Sequence, residues 1–137
     1  MKLLTILLLT VGATQIAVAL LNFFLIRLLG WREDLRKLSL LPRQVFVVHL
    51  WFISITLLIF GILTCRFAVP MAEGTNPVAV WLAGAVALFW GIRTVLQATY
   101  YSPEHWRGKP AQTAVHVFLL CAYGGMTATY AWAVLGA

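Results

Sequence analysis

Acidic residues are scarce in this chain, and none lies inside its long apolar stretches. Aspartate and glutamate together number 4 in 137 residues, and charged residues of all kinds make up 10% of the chain. Soluble proteins average about 25% charged residues. Proton-coupled transporters commonly use a carboxylate within the membrane, so the lack of one disfavours that class of function.

Cysteine is equally scarce, and its placement excludes the common cysteine chemistries. The chain has 2 cysteines, Cys65 and Cys121, and no C-x-x-C motif. We expect the two at different membrane depths, which argues against a disulfide and against a dithiol redox centre. A zinc site ordinarily needs three or four ligands. The 3 histidines are widely spaced and do not form such a motif. No motif of the chain identifies a protein family.

Apolar residues, by contrast, are abundant and arranged in four long runs. They make up 62% of the chain, against about 45–50% in soluble domains. Uncharged stretches cover residues 3–26, 44–65, 74–92 and 110–137, and about 20 residues cross a bilayer as a helix. The sequence therefore predicts an all-α integral membrane protein. We expect one domain, 1–137, forming an up-down-up-down four-helix transmembrane bundle with spans at about 3–29, 43–66, 76–100 and 111–135.

The first span begins like a cleavable secretion signal. Lys2 precedes an apolar run that contains the small residues Ala17 and Ala19, a pattern typical of signal peptides. The run continues as far as Ile26, which favours an uncleaved span.

Basic residues sort to one side of the membrane when the four spans alternate. One side receives eight of them and the other receives only Lys2 and Arg66. Positive residues concentrate in cytoplasmic loops, so we expect both termini to be non-cytoplasmic. The eight predicted cytoplasmic residues are Arg27, Arg32, Arg36, Lys37, Arg43, Arg93, Arg107 and Lys109.

The three connections between spans have different characters. In residues 30–41, apolar Trp31, Leu35, Leu38 and Leu41 recur at helical spacing among basic residues, which predicts a short amphipathic helix at the membrane interface. Residues 65–76 carry turn-forming proline and glycine and are predicted to form an external loop. Residues 100–110 mix aromatic and basic residues, including Trp106, as is typical of a membrane–water boundary.

A stripe of small residues marks the third span. Ala83, Ala87 and Gly91 recur every fourth residue, a spacing that lets membrane helices approach closely. The stripe predicts packing either within the bundle or against another membrane protein, as in a homo-oligomer or a larger complex. We expect membrane lipids as partners and no nucleic acid.

Polar residues of all four spans are expected at one depth, in the cytoplasmic half of the bundle. Polar groups facing lipid are costly, so these side chains should point inward, and intramembrane ionisable groups are often functional. Simple hydrogen bonding between helices is the alternative explanation. The predicted ligand-binding residues are Asn22, Gln44, His49, Arg93, Gln97 and His116.

Helical spacing extends this set along two spans. In the third span, Trp90 and Tyr100 share a stripe with Arg93 and Gln97. In the fourth span, the residues that share a stripe with His116 are Thr113, Leu120, Tyr123, Thr127 and Tyr130.

Four functions remain open from the sequence. The first is binding of a lipid-like or quinone-like amphiphile, with Arg93 and its polar neighbours on the head group. The second is a bis-histidine haem b, since His49 and His116 lie at similar predicted depths. The third is catalysis on a membrane substrate, with a histidine as acid or base and Arg93 stabilising negative charge. The fourth is an accessory subunit of a membrane complex.

Overall fold

The computed structural model describes residues 2–101, 104 and 108–136, and this part of the chain is all-helical. Four of the helices, of 22, 34, 23 and 26 residues, are long and apolar enough to cross a membrane. This confirms the prediction of an all-α protein with four candidate membrane spans. The elements are α1 (Lys2–Phe23), α2 (Leu25–Leu28), α3 (Arg32–Arg36), α4 (Leu40–Glu73), α5 (Pro77–Thr99) and α6 (Pro110–Leu135).

Large apolar side chains cover much of the helix surfaces. Trp81 is 81% exposed and Phe118 is 70% exposed, although both lie within candidate membrane spans. Contiguous apolar surface of this kind is rare on soluble monomers and marks contact with a membrane or another protein. The exposure pattern is therefore consistent with an integral membrane protein.

Two compact units make up the chain. One unit is Leu9–Arg66, and the other combines Met1–Leu8 with Phe67–Ala137. The first unit thus holds most of α1, the short helices α2 and α3, and most of α4. The second unit holds α5 and α6 with the start of α1 and the end of α4.

Within the Leu9–Arg66 unit, α1 and α4 cross with almost no space between their backbones. A Cβ atom built on Gly61 would lie 2.7 Å from the carbonyl oxygen of Gly12, and one built on Gly12 would lie 2.7 Å from Cys65 Sγ. The Cys65 thiol also lies 3.9 Å from the Leu9 carbonyl oxygen as a weak donor. Both glycines are needed here because only a missing side chain permits this approach.

The predicted external loop at residues 65–76 is largely helical. Helix α4 continues to Glu73, with a kink at Phe67 where φ is −110° and ψ is 16°. Pro70 lies three residues beyond the kink and has no N–H to donate to the carbonyl of Arg66, four residues earlier. Proline thus bends the helix at this position instead of ending it. The connection to α5 is shortened to the residues around Gly74, whose φ is +63°.

The first predicted span is also interrupted. Helix α1 ends at Phe23, and the Phe24 N–H donates to the Leu21 carbonyl at 3.0 Å, three residues back instead of four. A separate single-turn helix, α2, follows. The predicted span at residues 3–29 therefore contains two helices.

The connection at residues 30–41 contains a helix shorter than the sequence pattern suggests. Only Arg32–Arg36 is helical before α4 begins at Leu40. Its exposed ion pairs, Glu33 with Arg36 at 2.8 Å and Asp34 with Lys37 at 3.3 Å, each contribute at most about 1 kcal/mol. The ring of Trp31 meets Phe46 of α4 edge to face, at 6.2 Å between centroids.

Asn76 and Pro77 set the start of α5. The Asn76 side-chain oxygen accepts hydrogen bonds from the N–H groups of Val78 at 2.9 Å and Ala79 at 3.3 Å. These N–H groups have no acceptor within the helix, so the asparagine stabilises its first turn. Pro77 suits the first helical position because its missing N–H is not needed there.

Candidate functional site

Helices α5 and α6 form an antiparallel pair that positions a polar cluster. Trp90 stacks on Tyr123, with ring centroids 5.2 Å apart and planes inclined by 23°. Further along α5, Gln97 contacts His116, which lies earlier on α6. The contacting residues have rising numbers on α5 and falling numbers on α6, so the two helices run in opposite directions. The helical stripes predicted from the sequence therefore face each other across this pair.

A hydrogen-bond chain runs from Arg93 through Gln97 to His116. Arg93 Nη1 donates to Gln97 Oε1 at 3.1 Å, and Gln97 Nε2 lies 3.0 Å from His116 Nδ1. Arginine has donors only, so the Gln97 atom that faces it must be the amide oxygen. The Gln97 NH₂ group then donates to His116, whose Nδ1 must be the unprotonated acceptor. The arginine thereby selects the histidine tautomer that carries its proton on Nε2.

Two tyrosines surround the Arg93 guanidinium. Its central carbon lies 4.8 Å from the ring centroid of Tyr123 and 5.7 Å from that of Tyr101. Arg93 Nη2 also donates to the Tyr101 hydroxyl at 3.5 Å. Cation–π contacts of this kind hold a guanidinium in a defined orientation. We call the group formed by these residues the Arg93 cluster: Arg93, Gln97, Tyr101, His116 and Tyr123.

The sequence pattern selected the wrong tyrosine for this cluster. Tyr100 shares the helical stripe of Arg93, but its side chain is 77% exposed. Tyr100 still has helical backbone angles, and its N–H donates to the Leu96 carbonyl at 2.9 Å, so its side chain is exposed although the helical geometry continues. Tyr101, four residues after Gln97 and eight after Arg93, is the tyrosine that meets the guanidinium.

The positive charge of Arg93 has no acidic partner in the part of the chain that the structure describes. Its described contacts are to the amide of Gln97, the hydroxyl of Tyr101 and two aromatic rings. Two of the four acids in the chain, Glu33 and Asp34, pair with residues of their own segment in the other compact unit. A charge in apolar surroundings is costly unless it is balanced. An anion or a strongly polar group is the kind of partner that would balance this charge.

Burial within the cluster is graded. Gln97 is 5% exposed, and Arg93 and His116 are half-buried. Tyr101 is 40% exposed. Gln97 is therefore the enclosed member that holds the arginine and the histidine together, and the Tyr101 side is the more exposed one.

The three other predicted site residues belong to the Leu9–Arg66 unit. Asn22 is half-buried near the end of α1, and Gln44 and His49 are exposed on α4. His49 Nδ1 lies 2.8 Å from the carbonyl oxygen of Val45. Because a carbonyl only accepts, Nδ1 carries the proton and Nε2 carries the lone pair. That these three residues join the Arg93 cluster stays a prediction.

Comparison with known proteins adds no family to this picture. No protein-family model, curated protein or solved structure matches the chain.

The haem hypothesis has a permissive feature at one of its two histidines. A histidine whose Nδ1–H is bonded to a carbonyl presents Nε2 to a metal, which is the usual arrangement of haem and metal ligands. His49 has this arrangement. Among residues 2–101, 104 and 108–136, no group of three or more His, Cys, Asp or Glu side chains is placed to hold a metal ion. Ligation of one haem by His49 and His116 stays a prediction.

The small-residue stripe of α5 packs partly within the chain. A Cβ atom on Gly91 would lie 3.6 Å from Thr127 Cγ2 of α6, an ordinary contact distance. Ala83 is fully buried, and Ala87 is half-buried. The Gly91 position therefore serves the α5–α6 contact. A homo-oligomer or a membrane complex built through Ala83, Ala87 and Gly91 stays a prediction.

Two threonines next to the cluster complete the α5–α6 contact. Thr94 Oγ1 lies 3.4 Å from Thr127 Oγ1, and each hydroxyl also donates to a carbonyl of its own helix. Thr127 belongs to the stripe predicted for the fourth span, whereas Thr94 is missing from the stripe predicted for the third span. Thr94 lies four residues after Trp90, and this helical spacing would have placed it on the α5 stripe. From the third connection, His105, Trp106 and Arg107 lie outside the described residues.

Proposed function

We propose that this protein is a small multi-pass membrane protein that binds the polar head group of a lipid-like or quinone-like amphiphile at the Arg93 cluster. One observation carries the proposal. The guanidinium of Arg93 lies on a candidate membrane span, is held by neutral groups and has no carboxylate among its described contacts. Intramembrane charges kept in this way mark sites for ligands.

The depth of Arg93 supports a head-group site. Arg93 precedes the last residue of α5, Thr99, by six positions, which corresponds to about 9 Å along a helix at 1.5 Å per residue. This places the guanidinium near the boundary between the hydrocarbon and the head groups. An amphiphile bound there has its polar end at the cluster and its apolar tail along the helices.

The proposed orientation places this cluster on the cytoplasmic side. In this orientation the four spans form an up-down-up-down bundle, and both termini are non-cytoplasmic. The excess of basic residues at the Arg93 end of the spans supports it, by the positive-inside rule. We also propose that the segment around α3 lies along the same membrane surface. Its alternation of Trp31 and Leu35 with Arg32 and Arg36 supports this placement.

Asn22, Gln44 and His49 are proposed to contribute from the Leu9–Arg66 unit. Their expected depth in the membrane supports this assignment. Each carries hydrogen-bonding groups that suit a polar head group.

Solvent extraction of the purified protein tests the proposal. The protein is purified in mild detergent with extensive washing, and retained amphiphiles are extracted and measured by mass spectrometry. We expect one class of amphiphile to be retained near stoichiometric amounts, and Arg93→Gln to reduce its retention by about tenfold, since a charge-assisted contact contributes more than 1.4 kcal/mol. The matched control is Arg27→Gln, which makes the same substitution at an exposed residue outside the cluster.

Equal retention by wild type and Arg93→Gln contradicts the proposal. The same holds if Arg27→Gln lowers retention as much as Arg93→Gln does, because the effect then follows net charge and not the cluster.

A further inference from the structure

We infer that the head group recognised by the Arg93 cluster is a phosphate-type anion, such as that of an acidic phospholipid. This inference rests on the proposed amphiphile-binding function and names the chemical class of the ligand. Four features of the cluster carry it: its charge, its open donors, its orientation and its access.

Charge balance distinguishes a phosphate from a neutral head group. Arg93 carries a full positive charge and has no acid among its described contacts. A neutral quinone leaves that charge unbalanced in apolar surroundings, which is costly, and a zwitterionic lipid balances it only by bringing a second positive charge nearby. A phosphate with a net negative charge balances it. The charge of the cluster therefore selects for an anion.

The groups still open in the cluster are hydrogen-bond donors. A guanidinium has five N–H groups, of which one goes to Gln97 and one to Tyr101. Three therefore remain. The Tyr101 hydroxyl accepts from Arg93, so its own proton is available to a ligand. Gln97 has its oxygen on Arg93 and its nitrogen on His116, so its principal acceptor is already engaged. The open side of the cluster thus suits a ligand rich in acceptor oxygens.

The orientation of the guanidinium suits two oxygens of one phosphate. Tyr123 supports it at 4.8 Å and is itself stacked on Trp90 at 5.2 Å. The bond to Gln97 fixes one edge of the planar group. A planar fork held in this way binds two phosphate oxygens together, which a lysine ammonium does not do. The cluster therefore favours arginine at position 93 over any other cation.

Access to these donors is from the exposed side of the cluster. Tyr101 is 40% exposed, whereas Gln97 is 5% exposed. A phosphate can reach the guanidinium and the tyrosine hydroxyl without displacing Gln97. The enclosed amide keeps the arginine in place whether or not the ligand is bound.

Lipid binding by the intact protein tests the inference. Delipidated protein in mild detergent is titrated with phosphatidylglycerol, with phosphatidylcholine of the same acyl chains and with a short-chain quinone, and bound species are counted by native mass spectrometry. We expect phosphatidylglycerol to bind about tenfold more tightly than phosphatidylcholine, because both lipids offer the bidentate phosphate contact but choline adds a second positive charge beside Arg93. Arg93→Gln should abolish this preference, Arg93→Lys should weaken it, and Arg27→Gln should leave it unchanged.

A milder variant guards against loss of folding in the arginine variants. Tyr101→Phe removes one hydroxyl at a partly exposed position and keeps the ring that faces Arg93. We expect it to lower phosphatidylglycerol affinity by about twofold to tenfold, as for loss of a single hydrogen bond. An unchanged affinity in both Tyr101→Phe and a folded Arg93→Gln overturns the inference.

Two further measurements complete the test. One distinguishes a lipid phosphate from free phosphate, and the other distinguishes failure of this inference from failure of the proposed function. If millimolar inorganic phosphate displaces phosphatidylglycerol, the anion alone is recognised; if it does not, the lipid is the ligand, and both results support phosphate chemistry. Arg93-dependent binding of the quinone, without preference for phosphatidylglycerol, overturns this inference and leaves the proposed function standing. Binding of no amphiphile by wild type overturns both.

Discussion

Replacing Gly61 by alanine tests the tightest helix contact in the Leu9–Arg66 unit. The new methyl carbon would lie 2.7 Å from the Gly12 carbonyl oxygen, 2.7 Å from Ile16 Cγ1 and 3.0 Å from the Ile16 backbone nitrogen. Two of these three atoms belong to backbone, which cannot rotate away as a side-chain end can. Relief therefore requires α1 and α4 to move apart.

The size of the effect follows from that movement. An ordinary carbon contact is about 3.5 Å, so the helices must separate locally by roughly 0.8 Å, and a gap of that size forfeits about a quarter to a half of each facing dispersion contact. Overpacking of this kind costs about 1–3 kcal/mol. Alanine regains about 0.8–1 kcal/mol of helix propensity over glycine. We expect a net destabilisation of about 0–2 kcal/mol from these two terms.

Gly125→Ala on α6 is the matched control. A Cβ atom at Gly125 meets nothing within 4 Å, so this variant gains the same helix propensity without a clash. The difference in unfolding free energy between the two variants then isolates the steric cost, which we expect to be about 1–3 kcal/mol. Reversible unfolding in mixed micelles of mild detergent and dodecyl sulfate, followed by circular dichroism, measures it.

Equal stability of Gly61→Ala and Gly125→Ala would refute the close crossing. A second check uses the double variant Gly12→Ala/Gly61→Ala. Once the first methyl group has separated the helices, the second should cost less than it does alone, so the two effects should be non-additive. Additive effects would mean that the two glycines do not share one contact.

Three further predictions concern the start of α5, the orientation of the chain and its cofactor. Asn76→Ala should lower the unfolding free energy by about 1 kcal/mol, because two N–H groups lose their acceptor, whereas Thr75→Ala should have little effect in the same unfolding titration. A reporter fused to the C-terminus should be non-cytoplasmic, and a cytoplasmic reporter would reverse the proposed orientation. Amphiphile binding predicts no Soret band in protein expressed with adequate haem supply. A Soret band that is lost in both His49→Ala and His116→Ala would instead establish a b-type haem.

Part of the candidate site could be predicted from helical spacing alone. Arg93 and Gln97 are four residues apart and share a face on any helix, and the structure joins them by a hydrogen bond. His116 was placed at the same depth from the length of its span, and it bonds to Gln97. Tyr101 was missed although it lies four residues after Gln97 and eight after Arg93, a helical spacing that would have included it.

The sequence by itself determined that this protein is all-helical with four candidate membrane spans. The length and apolar character of a span are sums over neighbouring residues, and the requirement to satisfy backbone hydrogen bonds in lipid then imposes the helix. Only the tertiary structure decided which helix faces meet. Lipid-facing and helix-facing apolar side chains have the same hydropathy, so the Gly12–Gly61 crossing could not be read from composition. The enclosure of Arg93 by neutral groups and aromatic rings likewise depends on the rotation and register of α5 against α6, which no local window of sequence contains.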